Sequence, residues 1–305
     1  MQQPLHHHPF VQLLTVVFSM LACFILLSLA AFFLSIPLFG LSLGQLTEFF
    51  ESGGLQENLM LLKYFQSVQS LGMFVLPPFV IAWLYSRNTA AYLTVNVTPS
   101  LTSYLLVVAI IFFSLPFIGF LSQLNQNISF PEGLETIEKW LMNKEDSAQE
   151  LTQKFLAADN LKGLLVNIIL VGILPAIGEE FIFRGILQKI FSRWTKSAHL
   201  GILIAAFLFS AMHIQFYGLI PRFFLGLLFG YFMLWSGSIW LPVFGHFVNN
   251  TSAVVYYYFT SNVNFQPEKY DSMNFTDTAV FVSVVFVLLF GYLIYYVEKN
   301  RLRND

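Results

Sequence analysis

The chain reads as an all-α, polytopic membrane protein of about eight spanning helices, and three observations lead there. Hydrophobic residues make up 56% of it and charged residues only 10%, against about 25% charged in soluble domains. Mean hydropathy is +0.68. Apolar runs of the roughly 20 residues needed to cross a bilayer recur along the sequence. They fall at about 11–39, 59–86, 101–122, 162–191, 198–217, 219–236, 239–258 and 278–297.

The first run is too long for a signal-peptide core and has no basic leader, so it reads as a retained helix. His6, His7 and His8 precede it as a polar tail. Pro77 and Pro78 predict a kink in the second run. Pro175 predicts a freed backbone carbonyl in the fourth. Gly226 and Gly230 form a GxxxG spacing, read here as helix packing. Two polar stretches interrupt the pattern. Residues 40–58 carry Glu48, Glu51 and Glu57 without a basic residue. Residues 123–160 are acidic, with Leu134, Ile137, Trp140 and Leu141 at helical spacing, which predicts an interfacial amphipathic helix lying on the membrane.

Basic residues set an expected orientation. With the N-terminus inside, cytoplasmic loops hold Arg87, Lys189, Arg193, Lys196, Lys299, Arg301 and Arg303, while the short outer loops hold only Arg222 and Lys269. Both termini are therefore expected to be cytoplasmic, in a cell (inner) membrane. The net charge of −2 argues against a nucleic-acid partner, and the single cysteine, Cys23, excludes an intramolecular disulfide framework. Oligomeric state is not encoded in any feature of the chain. The expected organisation is residues 1–160 as helices one to three plus the acidic loop, 161–260 as a core of helices four to seven, and 261–305 as an outer loop, last helix and basic tail.

Charges inside the fourth run are the most informative feature. Glu179, Glu180 and Arg184 lie within six residues, and each charge at a membrane centre costs roughly 2.5–3.5 kcal/mol on insertion scales. Glu180 and Arg184 are four residues apart with the acid first, the favourable order for an ion pair. His213 lies in the fifth run, and His246 and Asn250, again four apart, in the seventh. Glu179 and His213 each lie 17 residues from Lys196, so an antiparallel hairpin sets them at similar depth. That reading places the site nearer the cytoplasmic half. A desolvated carboxylate beside a neutral imidazole can activate water, while a second imidazole and a carboxamide stabilise an oxyanion. Neither Ser210 nor Ser252 has a persuasive base beside it, and the helical His-Glu-x-x-His zinc motif is absent. His213, His246 and Glu179 also make a two-His, one-acid set, so a divalent metal such as zinc stays open.

These residues resemble the CPBP family, the CAAX proteases and bacteriocin-processing (Abi) intramembrane proteases. Its Glu-Glu-x-x-x-Arg motif stands as Glu179-Glu180-Phe-Ile-Phe-Arg184, its Phe-x-x-x-His as Phe209-Ser-Ala-Met-His213, and its His-x-x-x-Asn as His246-Phe-Val-Asn-Asn250. The resemblance covers about 160–258. It implies an intramembrane endopeptidase acting on a membrane-associated or lipid-modified polypeptide. By it, Glu179 with His213 activates water, His246 and Asn250 form the oxyanion site, and Glu180 and Arg184 orient the helix. It leaves the metal open. The alternatives from other classes are a secondary transporter or proton relay, whose buried acids and histidines are similar, and a non-catalytic membrane scaffold or immunity protein.

Overall fold

The computed structural model describes residues 8–51, 58–128, 130–260 and 276–304, and those residues form helices and connecting turns with no strand. His6, His7, Glu57 and Lys269 lie outside the described residues. In chain order the helices are α1 (Pro9–Phe39), α2 (Leu43–Glu51), α3 (Leu59–Tyr85), α4 (Thr89–Leu93), α5 (Leu101–Phe113), α6 (Leu115–Gln126), α7 (Glu135–Leu156), α8 (Leu161–Thr195), α9 (Ala198–Ala211), α10 (Leu219–Ser236), α11 (Trp240–Thr260) and α12 (Asp277–Asn304).

Eight spans are expected from the sequence; the described residues give five helices long and apolar enough, or six if a bent pair counts as one. The reasons for the difference are local. The run at 101–122 is broken into α5 and α6 by a 44° bend, with Pro116 in the first turn of α6, where its missing N–H does no harm. The run at 198–217 yields only the 14 residues of α9, which ends at Ala211. α11 is long enough, at 21 residues, but His246, Asn249, Asn250, Thr251 and Ser252 dilute its apolar character.

Two long helices are distorted, in part just before prolines that lack a backbone donor. α3 takes π-helical geometry over Leu71–Val75, just before Pro77 and Pro78. α8 does so over Ile168–Ile173, before Pro175, and again over Phe181–Leu187. Such π segments concentrate at functional sites. α3 touches α8 at its π segment, where a Cβ on Gly178 would stand 2.7 Å from Phe74 Cβ.

The turns after α8 and α10 are short. Lys196 (φ 56°) reverses the chain after α8, and Ser197 caps α9 by accepting from the Leu200 amide. Gly237 (φ 65°) ends α10 before α11. α8, α9, α10 and α11 therefore pack as antiparallel neighbours. One apolar core joins α1, α3, α8 and α11; a second joins α5, α10, α11 and α12. Ile182, Phe183 and Phe209 form a smaller cluster between them, directly beneath the polar residues of α8.

α7 is the amphipathic helix expected within 123–160. Its Ile137 and Trp140 are exposed, as suits a bilayer surface, yet the helix also reaches the bundle. Glu145 accepts from the Tyr217 amide at 3.3 Å and the Gln153 carbonyl accepts from Tyr257 Oη at 3.3 Å.

Candidate active site

The centre of the site is one imidazole between two carboxylates. His246 Nδ1 lies 2.8 Å from Glu180 Oε1, and its Nε2 lies 4.0 Å from Glu179 Oε2. The acids are adjacent in sequence but differ in setting: Glu180 is fully buried, whereas the Glu179 side chain is 14% exposed. The helical turn explains this, since neighbouring residues point about 100° apart.

Glu180 is neutralised locally. Arg184 Nη1 donates to Glu180 Oε1 at 3.0 Å, the i,i+4 pair expected from the spacing. Arg184 is itself completely buried and donates through Nη2 to the Gly226 carbonyl at 3.0 Å. Its guanidinium lies 4.6 Å from the Phe209 ring centre and 5.6 Å from that of Phe229, contacts that suit a weakly hydrated cation. His246 stacks on Phe229 at 5.3 Å, with planes 15° apart, and meets Phe209 edge-on at 5.9 Å. The imidazole is thus fixed in plane by aromatic contacts and in rotation by Glu180.

The glycine pair contributes more than packing. A Cβ at Gly226 would press on Ala206 at 3.0 Å, and one at Gly230 on Ile202 at 2.7 Å. This closeness also bares two backbone carbonyls to α8: Gly226 accepts from Arg184 and Gly230 from Gln188 Nε2 at 3.1 Å. The matching four-residue spacings, 226/230 on α10 and 184/188 on α8, hold the signal in the sequence. It shows only once the helices are known to face each other.

Asn250 reaches back to α8. Its Nδ2 donates to the Val171 carbonyl at 3.0 Å, and its Oδ1 accepts from Asn249 at 3.1 Å. Val171 lies four residues before Pro175, so this is the carbonyl for which proline has no N–H to offer. The expected freed carbonyl finds its donor in the side chain expected to serve an oxyanion. One N–H of Asn250 is therefore committed and one remains.

His213 differs most from expectation. It stands in the turn after α9, not inside a helix reaching 217. Its Nδ1 lies 2.9 Å from the Phe209 carbonyl and its ring meets Phe209 edge-on at 5.4 Å. A carbonyl only accepts, so Nδ1 donates and a neutral His213 keeps Nε2 as an acceptor. Phe209 thereby carries His213 and His246 on one ring, although among the described residues no ion pair joins His213 to Glu179. The turn is pinned by residues that sequence reasoning left without a role. Ser210 Oγ donates to the Leu219 carbonyl at 2.6 Å, and Asn125 bridges the Phe216 carbonyl and the Ile220 amide. Arg222, read from the sequence as an outer-loop charge, donates to the Gln215 side chain and carbonyl.

Placing His213 beyond α9 also revises the depth of the site. Fourteen helical residues span about 21 Å, so His213 is at the end of α9 away from Lys196. His246, by contrast, stands six residues into α11 from the Gly237 end. Among the described residues no three His, Cys, Asp or Glu side chains are grouped to hold an ion. His246 Nδ1 is engaged by Glu180 and His213 Nδ1 by a backbone carbonyl, which leaves the Nε2 atom of each ring as the acceptor.

A cavity of about 350 Å³ opens one turn away. It is lined by Ile173, Ala176 and Ile177 of α8 and by Val243, Phe244 and Phe247 of α11.

No solved structure matches the chain. A protein from Escherichia coli, described as an uncharacterized 24.3 kDa protein, is 30% identical over 113 residues, covering 36% of this chain. The chain spans about half of that relative, 52% of its length. Residues 161–252, which hold Glu179, Glu180, Arg184, His213, His246 and Asn250, match the model of the Rce1-like type II CAAX prenyl endopeptidase family.

Proposed function

We propose that the chain is a membrane-embedded endopeptidase in which Glu179 and His246 together polarise a water for attack on a peptide carbonyl. The observation that carries this reading is the single imidazole held between one locked carboxylate and one accessible carboxylate. Donation from Nδ1 to Glu180 fixes the tautomer of a neutral His246, so its Nε2 accepts. Glu179 Oε2, 4.0 Å away, is too far for a direct hydrogen bond. It is well placed to share one water with Nε2. Both atoms are acceptors, so they draw on the two hydrogens of that water and leave its lone pair for the carbonyl carbon.

On attack, Glu179 takes a proton and the tetrahedral oxyanion forms. The remaining N–H of Asn250 is the available side-chain donor to that oxyanion. Protonated Glu179 then returns its proton to the leaving amine. This account moves His246 from the oxyanion role implied by family resemblance to the water itself. His213, with Nε2 as an acceptor, holds substrate N–H or a second water from the other side of Phe209. Glu180 and Arg184 are positioning residues, acting through His246. No step requires a metal, and a zinc-dependent route is separable by chelation.

The substrate class follows from the surroundings. The apolar cavity between α8 and α11 suits an apolar segment of a membrane-associated or lipid-modified polypeptide. Both termini and the Lys196 turn are assigned to the cytoplasmic side of a cell membrane, on the bias of Lys and Arg.

The test is cleavage of a panel of membrane-tethered and prenylated peptides in liposomes, read by mass spectrometry, with and without a chelator. The expected result is a defined internal cut by wild-type protein, unchanged by the chelator. Failure of folded protein to cut any peptide, with uptake of a solute by the same liposomes, would instead support a transporter.

A further inference from the structure

A second cavity, of about 430 Å³, lies at the other end of the bundle, where α8 turns into α9. Its lining includes Tyr92, Gln188, Lys189, Arg193, Met233 and Leu234. Apolar and cationic groups thus share one space. Lys189 Nζ donates to the Tyr92 carbonyl at 2.6 Å. Arg193 donates to the Gln12 side chain at 2.9 Å and to the Lys189 carbonyl at 3.2 Å. Their partners are neutral oxygens, and among the described residues neither cation forms an ion pair. Two positive charges one helical turn apart are therefore uncompensated.

A third polar group adds to the pattern. Gln188 is only 6% exposed, and its Oε1 is buried without a partner. The lining thus offers two cations and one hydrogen-bond acceptor. The mouth is open, with Leu234 40% exposed, and Trp194 beside Arg193 is 45% exposed. Tryptophan among basic residues marks the headgroup level of a bilayer. The same end carries Arg87, Lys196 and the basic end of α12. There Arg301 is tied to Glu298 and to the Ser236 carbonyl, close to this rim.

We propose that this cavity is a site for an anionic phospholipid headgroup of the phosphatidylglycerol kind. Lys189 and Arg193 take the phosphate, Gln188 Oε1 accepts from a headgroup hydroxyl, and Met233 and Leu234 cover the upper acyl chains. Basic pockets between membrane helices commonly hold such headgroups. The proposal does not depend on the reaction assigned to the other cavity. It does link the lipid to α8 one turn from Arg184, through the adjacent Gln188–Gly230 and Arg184–Gly226 contacts.

The test is the thermal stability of the full chain in neutral detergent, titrated with short-chain phosphatidylglycerol, with phosphatidylcholine of equal chain length, and with inorganic phosphate. The expected result is a saturable upward shift with phosphatidylglycerol alone, its midpoint moved at least tenfold by Lys189→Gln combined with Arg193→Gln. Leu234→Trp, which fills the mouth and leaves both cations, should also abolish the shift if the double variant does not fold. An equal shift with phosphatidylcholine would overturn the charge assignment. An equal shift with phosphate alone would make this a free-anion site. Retention of the shift in a folded double variant would place the lipid elsewhere.

Discussion

Glu179 and Glu180 are chemically identical and adjacent, yet their surroundings give them opposite duties. Glu180 is buried with Arg184 and His246 and has no solvent to turn to. Breaking a buried pair costs roughly 3–5 kcal/mol, because the remaining charge is stranded. Arg184→Ala should therefore lower thermal stability in detergent by that order, with activity lost as a consequence. Glu179→Gln removes a partly exposed carboxylate that makes no direct hydrogen bond and should leave stability near wild type. His213→Ala should reduce cleavage without unfolding the bundle, as among the described residues its side chain hydrogen-bonds only to the carbonyl of its own preceding turn. At this scale the sequence was informative. The i,i+4 spacings of Glu180 with Arg184 and His246 with Asn250 are visible without coordinates. The aromatic contacts of Phe209 and Phe229 are not, since phenylalanine in an apolar run looks the same whether it faces lipid or imidazole.

At the scale of helices, α8 is shaped by what Pro175 withholds. The Val171 carbonyl takes its hydrogen bond from Asn250 on α11, so a local backbone defect becomes an interhelical tie. Asn250→Ala should cost roughly 1–3 kcal/mol by leaving that carbonyl unsatisfied. The same change should cost less in a Pro175→Ala background, where a backbone N–H is restored. A double-mutant cycle on thermal stability measures that coupling. Close packing makes a second demand. A Cβ at Gly201 would overlap Ser192 Oγ and fall 2.6 Å from its backbone nitrogen. Gly201→Ala should therefore destabilise the α8–α9 hairpin by about 1–3 kcal/mol as an overpacking change, read in the same assay. Helix existence and the freed carbonyl were legible from apolar runs and from proline. The end of α9 at Ala211 was not. Its apolar run continues through Ile214 and Phe216, and hydrophobicity alone does not reveal that the backbone turns at Met212 and His213.

The whole molecule holds the two proposed sites apart. The carboxylate–imidazole site lies midway along α8, and the basic cavity lies where α8 turns into α9. The expected eight spans counted every apolar run as a crossing. The bend between α5 and α6, the shortness of α9 and the polar content of α11 leave five or six helices long and apolar enough to cross among the described residues. If the Lys196 end is cytoplasmic, a cysteine at position 196 in a Cys23→Ser background should resist a membrane-impermeant maleimide in intact cells. The same cysteine should react once the membrane is permeabilised. Labelling in intact cells would invert the topology. The most direct measurement of the central claim is cleavage of a membrane-tethered peptide substrate in liposomes by wild type and Glu179→Gln, with thermal stability recorded on the same preparations. The account predicts cleavage by wild type and at least a 100-fold loss in a stably folded Glu179→Gln, the lower range for a general base. Undiminished cleavage by Glu179→Gln would contradict it and remove this carboxylate from the chemistry.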